Sequence, residues 1–216
     1  MPLTLRNAKT FSMLRLVLIC LLTHLQITLC LGMEQPFAQQ ENFVELCDQA
    51  AAAPWDSDSA HRRTRLEFRH LQPERAIPFC ERAFAQNPDL RRLSFQLGRA
   101  YDRQGANQDA YRAYKVAADL GSAAAKVNIG ILYRQGRRFE KNDTKARAWF
   151  REAAEMGLAE GMFCYATALD NGLGGPVDGP AARSWYERAA QRGTAKARDV
   201  LVRLDIDGPG TGARCD

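Results

Sequence analysis

Small and apolar residues recur along the second half of this chain at spacings of three and four, and the pattern repeats every 36 residues. Gly121, Gly157 and Gly193 mark the period. Ala117, Ala153 and Ala189 keep it, as do Ala118, Ala154 and Ala190 and the aromatic set Tyr114, Phe150 and Tyr186. Trp149 recurs as Trp185, and Ala146 as Ala182. Spacings of three and four put these residues on one helix face, and a fixed period of this length marks a helical repeat array. Each unit predicts two helices, the first from about Ala123 to Arg134 and the second from about Thr144 to Met156. Gly157 and Gly193 fall where a helix must stop, in a conformation that costs glycine little. Asn142 and Asp178 stand where a short polar side chain caps free amides. One pair cannot bury its apolar face alone, so neighbours must stack.

The pattern extends in both directions. Asn42 to Ala53 has helical spacing at Phe43, Leu46, Cys47 and Ala50, and Pro54 stops it. Pro54 to Pro73 reads as irregular and charged, with Asp56, Asp58, His61, Arg62, Arg63, Arg65, Arg69 and His70. It is either a solvated insertion with local Asp–Arg pairs or a contact for an anionic surface. From Glu74 helical spacing resumes, and Gln104-Gly105 marks a turn between two helices. Gly98 and Gly121 are four residues closer together than Gly130 and Gly157, so this unit has a shorter loop. After Gly193, Ala197 and Leu201 continue one degenerate helix, the cap that an array needs at its end. Gly208-Pro-Gly-Thr-Gly212 ends it; this run follows no strand and opens no helix, which excludes a phosphate loop.

The residues resemble the Sel-1-like repeat, a relative of the tetratricopeptide repeat. Ala125, Ile129, Gly130, Tyr133, Gly136, Ala146, Trp149, Ala153, Ala154 and Gly157 carry the pattern. The next unit keeps Gly172, Gly174, Asp178, Ala182, Trp185, Ala189, Ala190 and Gly193. Arg138, Phe139 and Asn142 depart from it in the first unit, and Tyr165-Ala166 and Leu169 in the second. Ala76, Cys80, Ala83 and Pro88, then Leu97, Gly98, Tyr101, Ala110, Tyr114 and Ala117, resemble the ordinary tetratricopeptide form. The resemblance implies an all-α, right-handed superhelical solenoid of antiparallel helix pairs without a β-sheet. The expected divisions are an export segment (1–32), a first pair with its insertion (33–90), a tetratricopeptide-like unit (91–121), two Sel-1-like units (122–157 and 158–193) and a cap with tail (194–216).

Composition changes the picture at the N-terminus. The 216 residues are 46% hydrophobic and 25% charged, an ordinary globular balance. Residues 1–32 hold three of the 30 basic residues (Arg6, Lys9, Arg15) and no acid, which leaves 27 basic against 25 acidic, a net of +2. The basic isoelectric point therefore gives no support for nucleic-acid binding. Arg15 followed by the apolar run Leu16 to Leu31 reads as an export signal, with Cys30 and Gly32 as the small residues before a cleavage ahead of Met33. A start at Met13 makes a neater signal. An uncleaved anchor facing the periplasm is the alternative, for which the run is short and polar. Bulky Leu29 argues against a lipoprotein site at Cys30. The expectation is an exported bacterial protein, periplasmic or secreted.

Export permits disulfides. Cys47 and Cys80 fall on consecutive helices of the first pair, and paired cysteines occur in the exported Sel-1-like proteins that this stretch resembles. The expected bond is Cys47–Cys80; two small buried thiols are the alternative. Cys164 reads as a core thiol, and its pairing with Cys215 rests on an even count alone.

No metalloprotease, β-lactamase or serine-hydrolase motif is present. His61 and His70 read as surface residues, and Trp55, Trp149 and Trp185 as packing residues. No metal or cofactor is expected. Two functions of different class fit. The first is a non-catalytic adaptor binding another protein along the first helices of the pairs. The contact positions of the resemblance are Arg92, Phe95, Arg99 and Asp102, then Val127, Ile131 and Arg134, then Phe163, Thr167 and Asp170. Their arginines and apolar anchors suit a segment bearing acidic groups. Packing between repeats is the competing reading for Val127 and Phe163. The second function is a cell-wall-directed binder or hydrolase acting on β-lactam or peptidoglycan material. The chain lacks the two cysteines per repeat of such relatives and offers no activated nucleophile.

Overall fold

A computed structural model describes residues 42–52, 67–137, 140–208 and 210–215. They belong to one compact unit spanning residues 42–216. The expected export segment, Pro54, Trp55, His61 and Arg62 to Arg65 lie outside the described residues. Among the described residues there are nine α-helices, one 3-10 turn at Phe68–His70, and no strand. In chain order the helices are α1 (Phe43–Ala51), α2 (Pro73–Gln86), α3 (Arg91–Gln104), α4 (Asn107–Asp119), α5 (Ala123–Gln135), α6 (Asp143–Glu155), α7 (Ala159–Asp170), α8 (Gly179–Gln191) and α9 (Ala195–Asp207). Each packs against the next, and α1 against α3 and α5 against α7 reach across a pair. This is an all-α solenoid of helix pairs. None of the described helices is long and apolar enough to cross a membrane.

Local chemistry sets the ends. The side chains of Asn42, Ser122, Asn142 and Asp178 accept hydrogen bonds from amides of the first turns of α1, α5, α6 and α8. Gly121, Gly157 and Gly193 take φ of 86°, 88° and 94°. The amide after each glycine then donates to the carbonyl of Ala117, Ala153 or Ala189, closing the helix in the same way three times. The loops repeat too: Asn142 N–H donates to Tyr133 O, and Asp178 N–H to Leu169 O.

In the α3–α4 and α5–α6 pairs the aromatic of the second helix lies on the backbone of the first. Tyr114, Phe150 and Tyr186 are all buried. A methyl group built on Gly130 would stand 2.4 Å from the Phe150 ring, and one on Gly98 2.5 Å from the Tyr114 ring. Glycine at these two places is a requirement of close approach. Two apolar clusters result. One holds Cys47, Ala51, Leu71, Ala76, Cys80, Ala83, Leu93 and Leu97. The larger runs from Phe95 and Tyr114 through Phe150 and Tyr186 to Val200 and Leu204. Trp149 and Trp185 pack on its margin, under Lys126 and Arg188 respectively.

Two disulfides join the described residues. Cys47–Cys80 ties α1 to α2. Cys164–Cys215 ties α7 to the segment after α9. Cys164 is therefore not the core thiol that its helical position suggests; the chain returns to bring Cys215 beside it.

Candidate functional site

The first helices of successive pairs, α3, α5 and α7, present equivalent positions 32 and then 36 residues apart, as Gly98, Gly130 and Ala166 show. Arg99, Ile131 and Thr167 are one such set; Asp102, Arg134 and Asp170 are the next, one turn on. In a stacked array this row lines the inner surface. Three stretches of the row have different surroundings.

Over α3 the row is covered by α1. Gln96 Nε2 donates to Asp48 Oδ1 at 2.8 Å, and Arg92 Nε lies 3.5 Å from the same oxygen. Arg99 is 1% exposed and donates to the carbonyl of Ala51. That bond meets one of the acceptors left free where α1 ends. Asp102 accepts from Tyr114 Oη at 3.2 Å and pairs with Arg137 from the next loop. Burial, and then the Asp102 charge, hold the Tyr114 phenol well above its usual range. Phe95 packs at 6.0 Å from the Tyr114 ring. Arg92 and Arg99, expected as partner contacts, are instead engaged within the chain: they join α3 to α1, and Arg99 is part of the interior.

Over α7 the row is covered by Gly210–Cys215. Asp170 is fully buried and accepts from Gly210 N at 2.7 Å, Thr211 N at 3.1 Å and Thr211 Oγ1 at 2.6 Å. Asn171 Nδ2 donates to Ala213 O at 3.1 Å. Thr167 is buried and meets Tyr186 Oη at 3.2 Å. Burial first, with a further push from Asp170, takes the Tyr186 phenol up to about 12. Phe163 is buried, 5.7 Å from the Tyr186 ring. Glu160, one turn before Cys164, is half-buried. Burial raises its carboxyl above the usual range, and Lys196 partly offsets this.

Between the two covers lies α5. Val127 is buried, but Asn128, Ile131 and Arg134 remain half-exposed. A cleft of about 380 Å³ adjoins this stretch, lined by Arg134, Lys141, Asp143, Asn171, Leu173 and residues 212–214. Lys141 pairs with Asp143 Oδ2 at 3.2 Å, while Asp143 Oδ1 is buried without a hydrogen-bond partner. The structure thus brings Ile131 and Arg134 together on an open surface. Phe95, Arg99, Asp102, Val127, Phe163, Thr167 and Asp170 are buried, and Arg92 is partly covered by α1. Lys141 and Arg214 escape sequence reasoning because one lies in a loop and the other in an irregular tail. A second cleft of about 220 Å³ lies between α1 and α2, with His70 and Arg75 in its wall.

Fold and row together define a helical-repeat protein with a short open stretch on its inner surface. Residues 123–158 and 159–194 each match the Sel1 repeat, so the chain carries two such repeats, on α5–α6 and α7–α8. Sel1 repeats serve generally as protein-interaction modules. Solved structures resembling the chain include a Sel1 repeat protein from Oxalobacter formigenes, at 27% identity and a TM-score of 0.51 over 56% of this chain and 94% of that one. They also include c5321, a protective antigen of uropathogenic Escherichia coli strains with an SLR fold, at 24% identity and a TM-score of 0.55. That match covers 68% of this chain but only 31% of c5321, and bears on fold alone. No curated protein matches the sequence.

Proposed function

We propose that this chain is an exported, non-catalytic interaction module that holds a segment of another protein against the open stretch of α5. The observation that carries the reading is the contrast along one row. Equivalent positions on α3 and α7 are covered by the chain itself, whereas Asn128, Ile131 and Arg134 stay accessible beside a cleft. Ile131 offers an apolar anchor. Arg134, Lys141 and Arg214 outnumber Asp143 around the cleft, which suits a carboxylate-bearing segment. Two disulfides support an oxidising compartment.

The test is affinity capture from the envelope fraction of the source cells with wild-type chain and the variant I131D/R134E. Specific partners should be lost from the variant while its helicity by circular dichroism matches wild type; Ile131 packs partly against the core, so a modest fall in melting temperature accompanies the change. Identical capture by the folded variant overturns the reading.

A further inference from the structure

The segment after α9 is built to return. Gly208, Gly210 and Gly212 have φ of 78°, 86° and 65°, which side-chain-bearing residues rarely adopt. These alternating turns carry the chain back from α9 and lay Gly210–Cys215 along α7. There it contributes the groups that a bound peptide would contribute. Two consecutive amides and a hydroxyl go to the Asp170 carboxylate, and a carbonyl accepts from Asn171. Asp170 and Thr167 occupy the same row as Arg134 and Ile131, so the segment sits where a partner would sit one repeat earlier. Within the described residues of this segment, Cys215 supplies its covalent tie to the array.

We propose that the inner face of α7 is a binding site for an extended, hydroxyl-bearing peptide segment, that Gly210–Cys215 is its resident occupant, and that a dithiol reductant opens it by cleaving Cys164–Cys215. The chemistry is ordinary exchange. A thiolate of the reductant attacks Cys215 Sγ, forming a mixed disulfide and releasing the Cys164 thiolate. The second thiolate of the reductant then displaces Cys215. The net result is two electrons and two protons passed to the cysteines and an oxidised reductant. The Glu160 carboxylate oxygen and the two sulfurs lie within 4.8 Å of one another, which puts a proton carrier beside the departing Cys164 sulfur. Both sulfurs are buried, so attack follows a loosening of the segment rather than direct encounter. With the tie cut, what holds the segment is the hydrogen bonds to Asp170 and Asn171, a bond from Arg203 to Thr211 O at 3.4 Å, and the packing of Ala213 and Cys215. Its departure would also remove one wall of the Arg134 cleft. That consequence rests on reading the cleft as a partner site; the seat on α7 does not.

Two measurements on the full chain test this. The first is hydrogen exchange of the Gly210 and Thr211 amides in oxidised wild type, in wild type reduced with dithiothreitol, and in C215S. Reduction or substitution should speed their exchange at least about 100-fold while core amides of α8 change less than about threefold. Retained protection overturns the gate, and so does general loss across α7 and α8, which would make the bond a structural staple. C164A/C215A should repeat the C215S result without leaving a buried thiol. The second is binding of a labelled synthetic peptide, residues 208–216 with Ser at position 215. The receptor is the full-length G210P/C215S variant, whose own segment cannot make the positive-φ turn. The peptide should bind this variant at least tenfold better than oxidised wild type, and adding D170N should abolish the difference. Absence of binding to the open variant overturns the site. Neither measurement involves the partner of α5, which the I131D/R134E capture tests separately.

Discussion

Gly130→Ala is the substitution that asks most of the stacking account. The added carbon would fall 2.4 and 2.7 Å from two ring atoms of Phe150, a side chain 1% exposed. The ring is rigid and enclosed, so α5 and α6 must separate or the ring must leave its rotamer. Overpacking of this kind costs about 1–3 kcal/mol, and a closed site argues for the upper end. Against this, alanine favours the helix over glycine by about 1 kcal/mol. The net loss should be roughly 1–2 kcal/mol, a fall in melting temperature of about 2–8 °C for a unit of this size. Phe150→Ala alone should cost about 3–5 kcal/mol through its cavity. With the ring gone, the same Gly130→Ala change should stabilise by about 1 kcal/mol. Urea unfolding of the four proteins, followed by circular dichroism, gives the coupling directly. An equal effect of Gly130→Ala in both backgrounds would refute the idea that Gly130 exists to admit the ring.

Removing the first disulfide with C47A/C80A should destabilise by about 3–4 kcal/mol, the chain-entropy value for its 33-residue separation, and native-state hydrogen exchange should show α1 opening first. Arg99→Ala should cost roughly 1.5–3 kcal/mol by stranding the Ala51 carbonyl, and loosened protection of α1 in the same experiment would identify the cause. Glu160→Gln should stabilise the protein at neutral pH. The folded carboxyl has a raised pKa, so its protonated form favours folding, and that benefit is present at acid pH and lost as pH rises through the folded value. The difference in melting temperature from wild type should therefore shrink as pH falls towards the ordinary carboxylate range. A difference constant with pH would assign the effect to something other than ionisation.

Much of the fold was legible because it is periodic. The glycine stops, the caps at Asn142 and Asp178, and the aromatic series Tyr114, Phe150 and Tyr186 each recur in sequence because each performs a local task in every pair. The state of the inner row was not legible. Whether Arg99 or Asp170 faces solvent depends on partners 48 and 40 residues away, α1 and the segment after α9, neither of which keeps the period. Buried polar residues there look in sequence like contact residues on an open surface. Two signals could have given warning: Cys215 as a counterpart for Cys164, and glycine at alternate positions from Gly208 to Gly212, which lets an irregular chain turn back.

The account stands most directly on where a partner touches. A photo-crosslinking amino acid placed at Asn128, Ile131, Arg151 or Glu155 of the full chain, in the cells that make it, would report this position by position. Asn128 and Ile131 on the open stretch should yield a discrete crosslinked species, and Arg151 and Glu155 on the exposed face of α6 should yield none. Crosslinks confined to α6, with none from α5, would contradict the proposal that this array holds its partner on the inner row.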